Sequence, residues 1–123
     1  MALPTLKKRS EFLWVRNGRR WGAAAFVLEA RPRPDAAEGP ARFGYTVSKK
    51  VGGAVQRNRI RRRFRALTAG LAPEQVRPGF DYVLIARSPA IDRPFADLKV
   101  DLDQALARVH QTPGQKRRGA RNA

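Results

Sequence analysis

The 123-residue chain contains no cysteine. That removes disulfide frameworks, thiolate zinc sites and cysteine nucleophiles. It has one histidine, His110, which argues against a histidine metal cluster or a Ser–His–Asp triad. No apolar run approaches the ~20 residues that a membrane span needs. Residues 1–9, MALPTLKKR, hold no apolar stretch of signal-peptide length before their basic cluster. A cytoplasmic location with no membrane partner is the expectation. Acidic residues are scarce as well: 10 Asp+Glu stand against 26 Lys+Arg, for a formal net charge of +16. Of the basic residues 20 are arginine and 6 lysine. Such an imbalance on a chain long enough for one domain points to a polyanionic partner rather than a small-molecule substrate. The 42% hydrophobic content suffices for one modest core.

The charge is unevenly placed. No acid lies between Glu38 and Glu74, an interval that holds Arg42, Lys49, Lys50, Arg57, Arg59, Arg61, Arg62, Arg63 and Arg65. Asp81 to Asp103 contains five acids and only three bases. The composition divides the chain into a basic arm (1–9), one domain (10–110) and a basic tail (111–123) expected to be disordered without a partner.

Patterning predicts a helix over 10–17, with Ser10 as its cap and Asn17-Gly18 as its stop. A strand over 23–29 follows, although its alanines also suit a helix, with a further short strand near 18–23. Residues 42–48 alternate, with Phe43, Tyr45 and Val47 on one face. Gly52-Gly53 turns into a basic helix over 54–69, on which Ile60, Phe64, Leu67 and Leu71 share a face. Arg63 borders that stripe and is expected to snorkel along the core edge. Residues 81–86 form a nearly continuous apolar run, expected as a central strand buried on both faces. A last helix over 94–110 carries Phe95, Leu98, Leu102, Leu106 and Val109 at helical spacing. His110 is expected to favour its C-terminal end, and Asp97, Asp101 and Asp103 to form its solvated face. The order α-β-β-β-α-β-α gives an α+β or α/β sandwich with helices against a small sheet.

The outer side of the basic helix carries Asn58, Arg59, Arg61, Arg62 and Arg65 without an acid to pair them. Like charges at this density repel, and an arginine fork suits phosphate. At this point the string Lys49-Lys50-x-Gly52-x-Ala54-Val55-x-Arg57-Asn58-Arg59-Ile60-Arg61-Arg62-x-x-Arg65 closely resembles the signature of the bacterial ribonuclease P protein component family. Leu6-Lys7-Lys8 with Phe12, Phe26-Val27-Leu28, and Asp81-Tyr82-x-x-Ile85-Ala86-Arg87 support the resemblance, which runs from about Leu6 to Val109.

The resemblance implies an α+β fold, a compact α/β sandwich with a small mixed sheet and a left-handed βαβ crossover, against the usual right-handed rule. It also implies the small subunit of a ribonucleoprotein endoribonuclease that removes the 5′ leader of precursor tRNA. Its RNA subunit does the chemistry with magnesium, and no further protein partner is required. Carried over, Lys49, Arg57, Asn58, Arg59, Arg61, Arg62 and Arg65 contact the catalytic RNA. Phe12, Val27, Thr46, Ser48 and Lys50 line a cleft for the single-stranded leader. Asn58 has an oxygen to offer a hydrated cation, or is a helix-surface residue with no special role. The N–H groups of Gly52 and Gly53 either meet phosphate or only form the turn. Phe12 is either a base-stacking wall or core.

Two departures stand out. The family often has a second aromatic one turn beyond Phe12, where this chain has Arg16. It often has Tyr in the first strand, where this chain has Glu29, a carboxylate that needs an arginine partner near RNA. Trp14 or Trp21 is available to substitute for the missing aromatics. The rival reading is a structural ribosomal protein with the same size and charge. A DNA-reading helix and an autonomous nuclease have less support, since Asn58 alone reads few bases and no paired carboxylates stand out.

Overall fold

The computed structural model describes residues 4–34 and 39–111. The predicted tail beyond Gln111 and the first three residues of the arm lie outside the described residues. Three helices and four strands occur in the order α1 (Arg9–Arg16), β1 (Arg19–Gly22), β2 (Phe26–Pro32), β3 (Arg42–Thr46), α2 (Ala54–Ala69), β4 (Phe80–Ala86) and α3 (Phe95–Val109). The sheet order is β1-β2-β4-β3. β1 and β4 both run antiparallel to β2, whereas β3 runs parallel to β4, with α2 as the crossover between them.

Alternation along the strands sorts the two faces. Tyr82, Leu84 and Ala86 of β4 join Phe26, Leu28, Phe43, Ile60, Phe64, Leu98, Leu102 and Leu106 in the main core under α2 and α3. Val83 faces the other way, with Leu6 and Val15, against half-buried Phe12, Trp14 and Ile85. α1 therefore lies alone on one face of the sheet, and α2 and α3 cover the other. Burying a side chain such as Phe64 or Ile60 contributes ~1.5–3 kcal/mol.

α2 occupies the span its glycines predict: Gly53 precedes it and Gly70 follows it. Its stripe Ile60, Phe64 and Leu67 is buried, and so is Leu71 beyond it. Two other boundaries move. β2 begins at Phe26 because residues 23–25 make the turn from β1, closed by Ala23 N–H on the Phe26 carbonyl at 2.8 Å. It runs on to Pro32, past the last pair with β1 at Ala30, where a missing N–H is tolerated. α1 begins one residue before Ser10, with Lys8 at its cap position. Lys8 has no side-chain acceptor, so Glu11 reaches back instead. Its Oε1 accepts the N–H of Lys7 at 3.0 Å and of Lys8 at 2.9 Å. Pro4–Leu6 runs alongside β3, with Leu6 N–H on the Phe43 carbonyl at 2.9 Å and Phe43 N–H on the Pro4 carbonyl at 3.0 Å.

His110 does not serve the α3 terminus as a charge. Burial pushes its pKa down to about 4, and Arg77 and Arg19 add to the shift. The Tyr82 hydroxyl accepts Arg77 N–H at 2.9 Å and meets His110 Nε2 at 2.8 Å. The other ring nitrogen, Nδ1, is buried without a partner among the described residues. The α3 carbonyls are taken by arginines instead: Arg19 Nη1 donates to Val109 at 2.9 Å and Arg77 Nη2 to His110 at 3.2 Å.

The consequence for stability follows from linkage. An unfolded histidine titrates near 6.5, so between pH 6.5 and 4 the unfolded chain binds a proton that the folded chain refuses. The stabilisation is complete above 6.5, is lost progressively down to 4, and changes no further below. After allowance for partial solvent access of the ring, the loss is about 2 kcal/mol. Urea denaturation at pH 7.5 and 4.5 checks this against His110→Gln, which cancels the carboxylate contribution common to both. The parent is expected to lose about 2 kcal/mol more than the variant over that interval; equal losses would refute it.

Candidate nucleic-acid interface

α2 presents its outer face through Val55, Asn58, Arg61, Arg62 and Arg65, which line a shallow concavity of ≈ 500 Å³. The positions recur at helical spacing opposite Ile60 and Phe64. Val55 is 79% exposed, an apolar contact in the middle of the arginines. No acid lines this concavity.

The remaining basic residues of α2 have different roles from those on its outer face. Arg59 lies toward the 3₁₀ turn Ser88–Ile91, where its Nε donates to the Ile91 carbonyl at 2.9 Å. That bond uses only the Nε of an otherwise exposed side chain. Arg63 snorkels as expected. It is half-buried, its Nη2 donates to the Arg93 carbonyl, and burial lowers its pKa. Arg93 in turn grips Asp101, Nε to Oδ2 at 2.7 Å, so Asp101 belongs to an ion pair and not to a solvated face. Arg57 is half-buried on the flank, with its Nε buried.

Lys49 and Lys50 are exposed on the 3₁₀ turn before α2, which buries Val51. Gly52 holds φ at 151°, which favours glycine. Its N–H is spent on the Lys49 carbonyl at 3.3 Å, so Gly52 is a turn former and offers no donor to a phosphate.

A second groove, of ≈ 430 Å³, lies between α1, the end of β3 and α2. Its walls are Lys7, Arg9, Phe12, Leu13, Arg16, Tyr45, Thr46, Val47 and Arg61, again without an acid. Phe12 is half-buried. It packs toward Gly44, where an added Cβ would come within 2.6 Å of the Phe12 ring. The ring is thus both part of the minor core and a wall of the groove. Of the five cleft residues expected from sequence, Phe12 and Thr46 line this groove. Val27 shares a cross-strand row with Ile85 and Thr46 but is only 8% exposed. Ser48 and Lys50 are exposed on the segment leaving β3 and are absent from the lining. The additional α1 residues follow the period of the helix: Arg9, Phe12, Leu13 and Arg16 are i, i+3, i+4 and i+7.

Neither tryptophan supplies the missing aromatic. Trp14 points to the other side of α1, where its Nε1 donates to the Pro32 carbonyl at 3.0 Å and Arg31 stacks 3.4 Å from its ring centroid. Trp21 packs against the main core, with Arg108 over its ring. Glu29 is buried at 4% exposure beneath α1, with Arg20 Nη1 3.6 Å from its Oε2 on the neighbouring strand. Burial raises its pKa, against the opposing pull of Arg20 and Arg16.

Among the described residues there is no group of three or more His, Asp or Glu that would hold a metal ion. Asn58 Oδ1 faces Arg61 Nη1 at 3.4 Å, with Arg62 and Arg65 lining the same concavity. Its single oxygen among guanidinium groups does not fit a resident magnesium ion. Grooves elsewhere on the surface contain acids: one has Glu11 and Asp81, another Glu74 and Asp103. No helix among the described residues is long and apolar enough to cross a membrane.

Two acid-free basic concavities on a small mixed sheet are what comparison with known proteins has to match. The family model described as Ribonuclease P matches residues 3–110. The ribonuclease P protein component of Ruegeria pomeroyi is 47% identical over 110 residues, covering 88% of this chain and 87% of that protein. The one from Paramagnetospirillum magneticum is 46% identical, covering 87% and 83%. Among solved structures, the RNase P protein from Thermotoga maritima superposes with a TM-score of 0.71 at 27% identity, covering 87% of this chain and 98% of that one. The Staphylococcus aureus RNase P protein gives 0.69 at 28% identity, covering 87% and 97%. With sequence and fold agreeing over nearly the whole described chain, this protein belongs to the ribonuclease P protein family.

Proposed function

We propose that this protein assists RNA-catalysed, magnesium-dependent removal of the 5′ leader from precursor tRNA by binding two RNAs at once. The outer face of α2 holds the catalytic RNA through its phosphates, with Asn58, Arg61, Arg62 and Arg65 at the centre and Arg57, Arg59 and Lys49 around them. The groove beside α1 holds the leader as a single strand, with Phe12 offering a sequence-tolerant stacking face and Lys7, Arg9 and Arg16 meeting its backbone. Ser48 and Lys50 extend that path beyond β3. Leader binding here leans more on charge than on stacking, because Arg16 stands where a second aromatic is common and neither tryptophan faces the groove. The chemistry and its magnesium reside in the RNA.

The observation that carries this reading is the meeting of two acid-free basic concavities at Arg61, which lines both. If about eight basic side chains neutralise phosphates, the logarithmic salt dependence of RNA affinity has a slope of about −6 to −7. The test adds purified protein to the catalytic RNA at low magnesium and follows precursor-tRNA cleavage. Protein alone is expected to be inert, and RNA with protein to cleave well above RNA alone. A protein that leaves cleavage unchanged behaves as a structural RNA binder and overturns the proposal.

A further inference from the structure

Among the described residues, most arginines have a carboxylate or a backbone carbonyl as partner. Arg33 and Arg42 hold Asp81, Arg42 also holds Glu11, Arg20 pairs with Glu29 and Arg93 with Asp101. Arg19, Arg31, Arg59, Arg63, Arg77 and Arg87 each donate to a backbone carbonyl. Arg61 differs from all of these. Its hydrogen bond goes to a neutral side-chain oxygen, Asn58 Oδ1, at 3.4 Å, which is long for a good hydrogen bond. No carboxylate pairs with it among the described residues.

Its position is also distinctive, since Arg61 lines both the α2 concavity and the α1 groove. Phe12 and Thr46 belong to the groove alone, and Arg62 and Arg65 to the concavity alone. A guanidinium has five N–H donors in a planar fork. With one of them weakly engaged, it can grip one phosphate with two donors and still reach a second.

We infer that Arg61 is a shared residue, held loosely by Asn58, whose one guanidinium contacts a phosphate of the catalytic RNA on one side and of the leader strand on the other. This rests on the proposed function and deepens it. Two polyanions brought together at this edge repel each other, and a cation common to both sites offsets that repulsion where it is greatest. Asn58 then serves to park the fork between the sites without neutralising it, which a carboxylate at that position would do.

The experiment measures two dissociation constants for the full-length chain, one for the catalytic RNA and one for a short single-stranded oligouridine. Arg65→Ala is expected to shift mainly the first, and Phe12→Leu, which removes the ring but keeps an apolar side chain in the minor core, mainly the second. Arg61→Ala is expected to weaken both by roughly tenfold, as loss of a charge-assisted contact on each side requires. Arg61→Lys keeps the charge but not the fork and is expected to recover only part of each loss, and a thermal melt confirms each variant is folded. An Arg61→Ala variant that weakens only one probe overturns the sharing and leaves the two-site function standing. A parent protein that binds neither probe overturns the function itself.

Discussion

Asp81→Ala is expected to lower the melting temperature by roughly 10–20 °C, an effect of ~3–5 kcal/mol in a domain of this size. Asp81 is 2% exposed. Its Oδ1 accepts Arg33 Nη1 at 2.7 Å and Arg42 Nε at 2.9 Å, and its Oδ2 accepts Arg42 Nη2 at 2.8 Å. Arg42 Nη1 continues to Glu11 Oε2 at 3.1 Å. The other Glu11 oxygen closes the start of α1, and those two backbone N–H groups, with Arg42 adding, hold its carboxyl below its ordinary range. One carboxylate thus ties β4, β3 and the start of α1 into a single network. Replacing both partners of a buried ion pair by apolar residues is often neutral, but removing one leaves the other charge stranded. Here two guanidinium groups lose the buried carboxylate they share, in a chain already at +16, although Arg42 keeps Glu11 and Arg33 keeps the Pro40 carbonyl. Asp81→Asn keeps one acceptor oxygen and is expected to fall between the parent and the alanine variant. A melt of Asp81→Ala within about 3 °C of the parent would show that solvent replaces the network. Because α1 carries the Phe12 wall of the groove, Asp81→Ala is also expected to weaken oligouridine binding at temperatures where the protein is still folded.

How much of this was legible in the sequence depends on the range over which each feature is determined. α2 was readable to the residue because its limits are local: a glycine on each side and an apolar stripe of helical period between them. The central placement of β4 was readable from its unbroken apolar run. The start of β2 was not, because Ala23, Ala24 and Ala25 suit turn, strand and helix alike, and only pairing with β1 decides among them. The same limit applies to the site. Charge and spacing placed Asn58, Arg61, Arg62 and Arg65 on one helix face. They did not reveal that Arg59 and Arg63 reach backbone carbonyls around Ile91 and Arg93, more than two dozen residues away in the chain. Glu29 read as an awkward acid near a groove until the register of β1 set Arg20 beside it. The direction in which Trp14 points is decided by the Pro32 carbonyl and by Arg31, neither of which α1 itself contains. By contrast Arg9, Leu13 and Arg16 follow from Phe12 by helical spacing alone, and needed only that the charges on α1 be weighed with its aromatics.

Arg61→Ala, Arg62→Ala and Arg65→Ala combined are expected to abolish tight assembly with the catalytic RNA while leaving the protein at least as stable. These three side chains line the α2 concavity, and Arg62 and Arg65 are exposed. Losing three charge-assisted phosphate contacts weakens binding by about a thousandfold, or about 4 kcal/mol. The salt slope should become shallower by about 2 to 3, since each lost phosphate contact removes ~0.7–0.9. Stability moves the other way. On the helix Arg57 and Arg61, Arg61 and Arg65, Arg59 and Arg62, and Arg62 and Arg65 are like charges three or four residues apart, each pair destabilising by about 0.2–0.5 kcal/mol. The substitution removes all four repulsions and installs the best helix former at each position, at the cost of some packing by the arginine stems. A melt equal to or a few degrees above the parent, beside a thousandfold weaker complex and a shallower salt slope, is a combination that misfolding does not produce. A triple variant that assembles normally would place the catalytic RNA elsewhere on the surface, and an unchanged slope beside weakened binding would mean these arginines act through something other than phosphate.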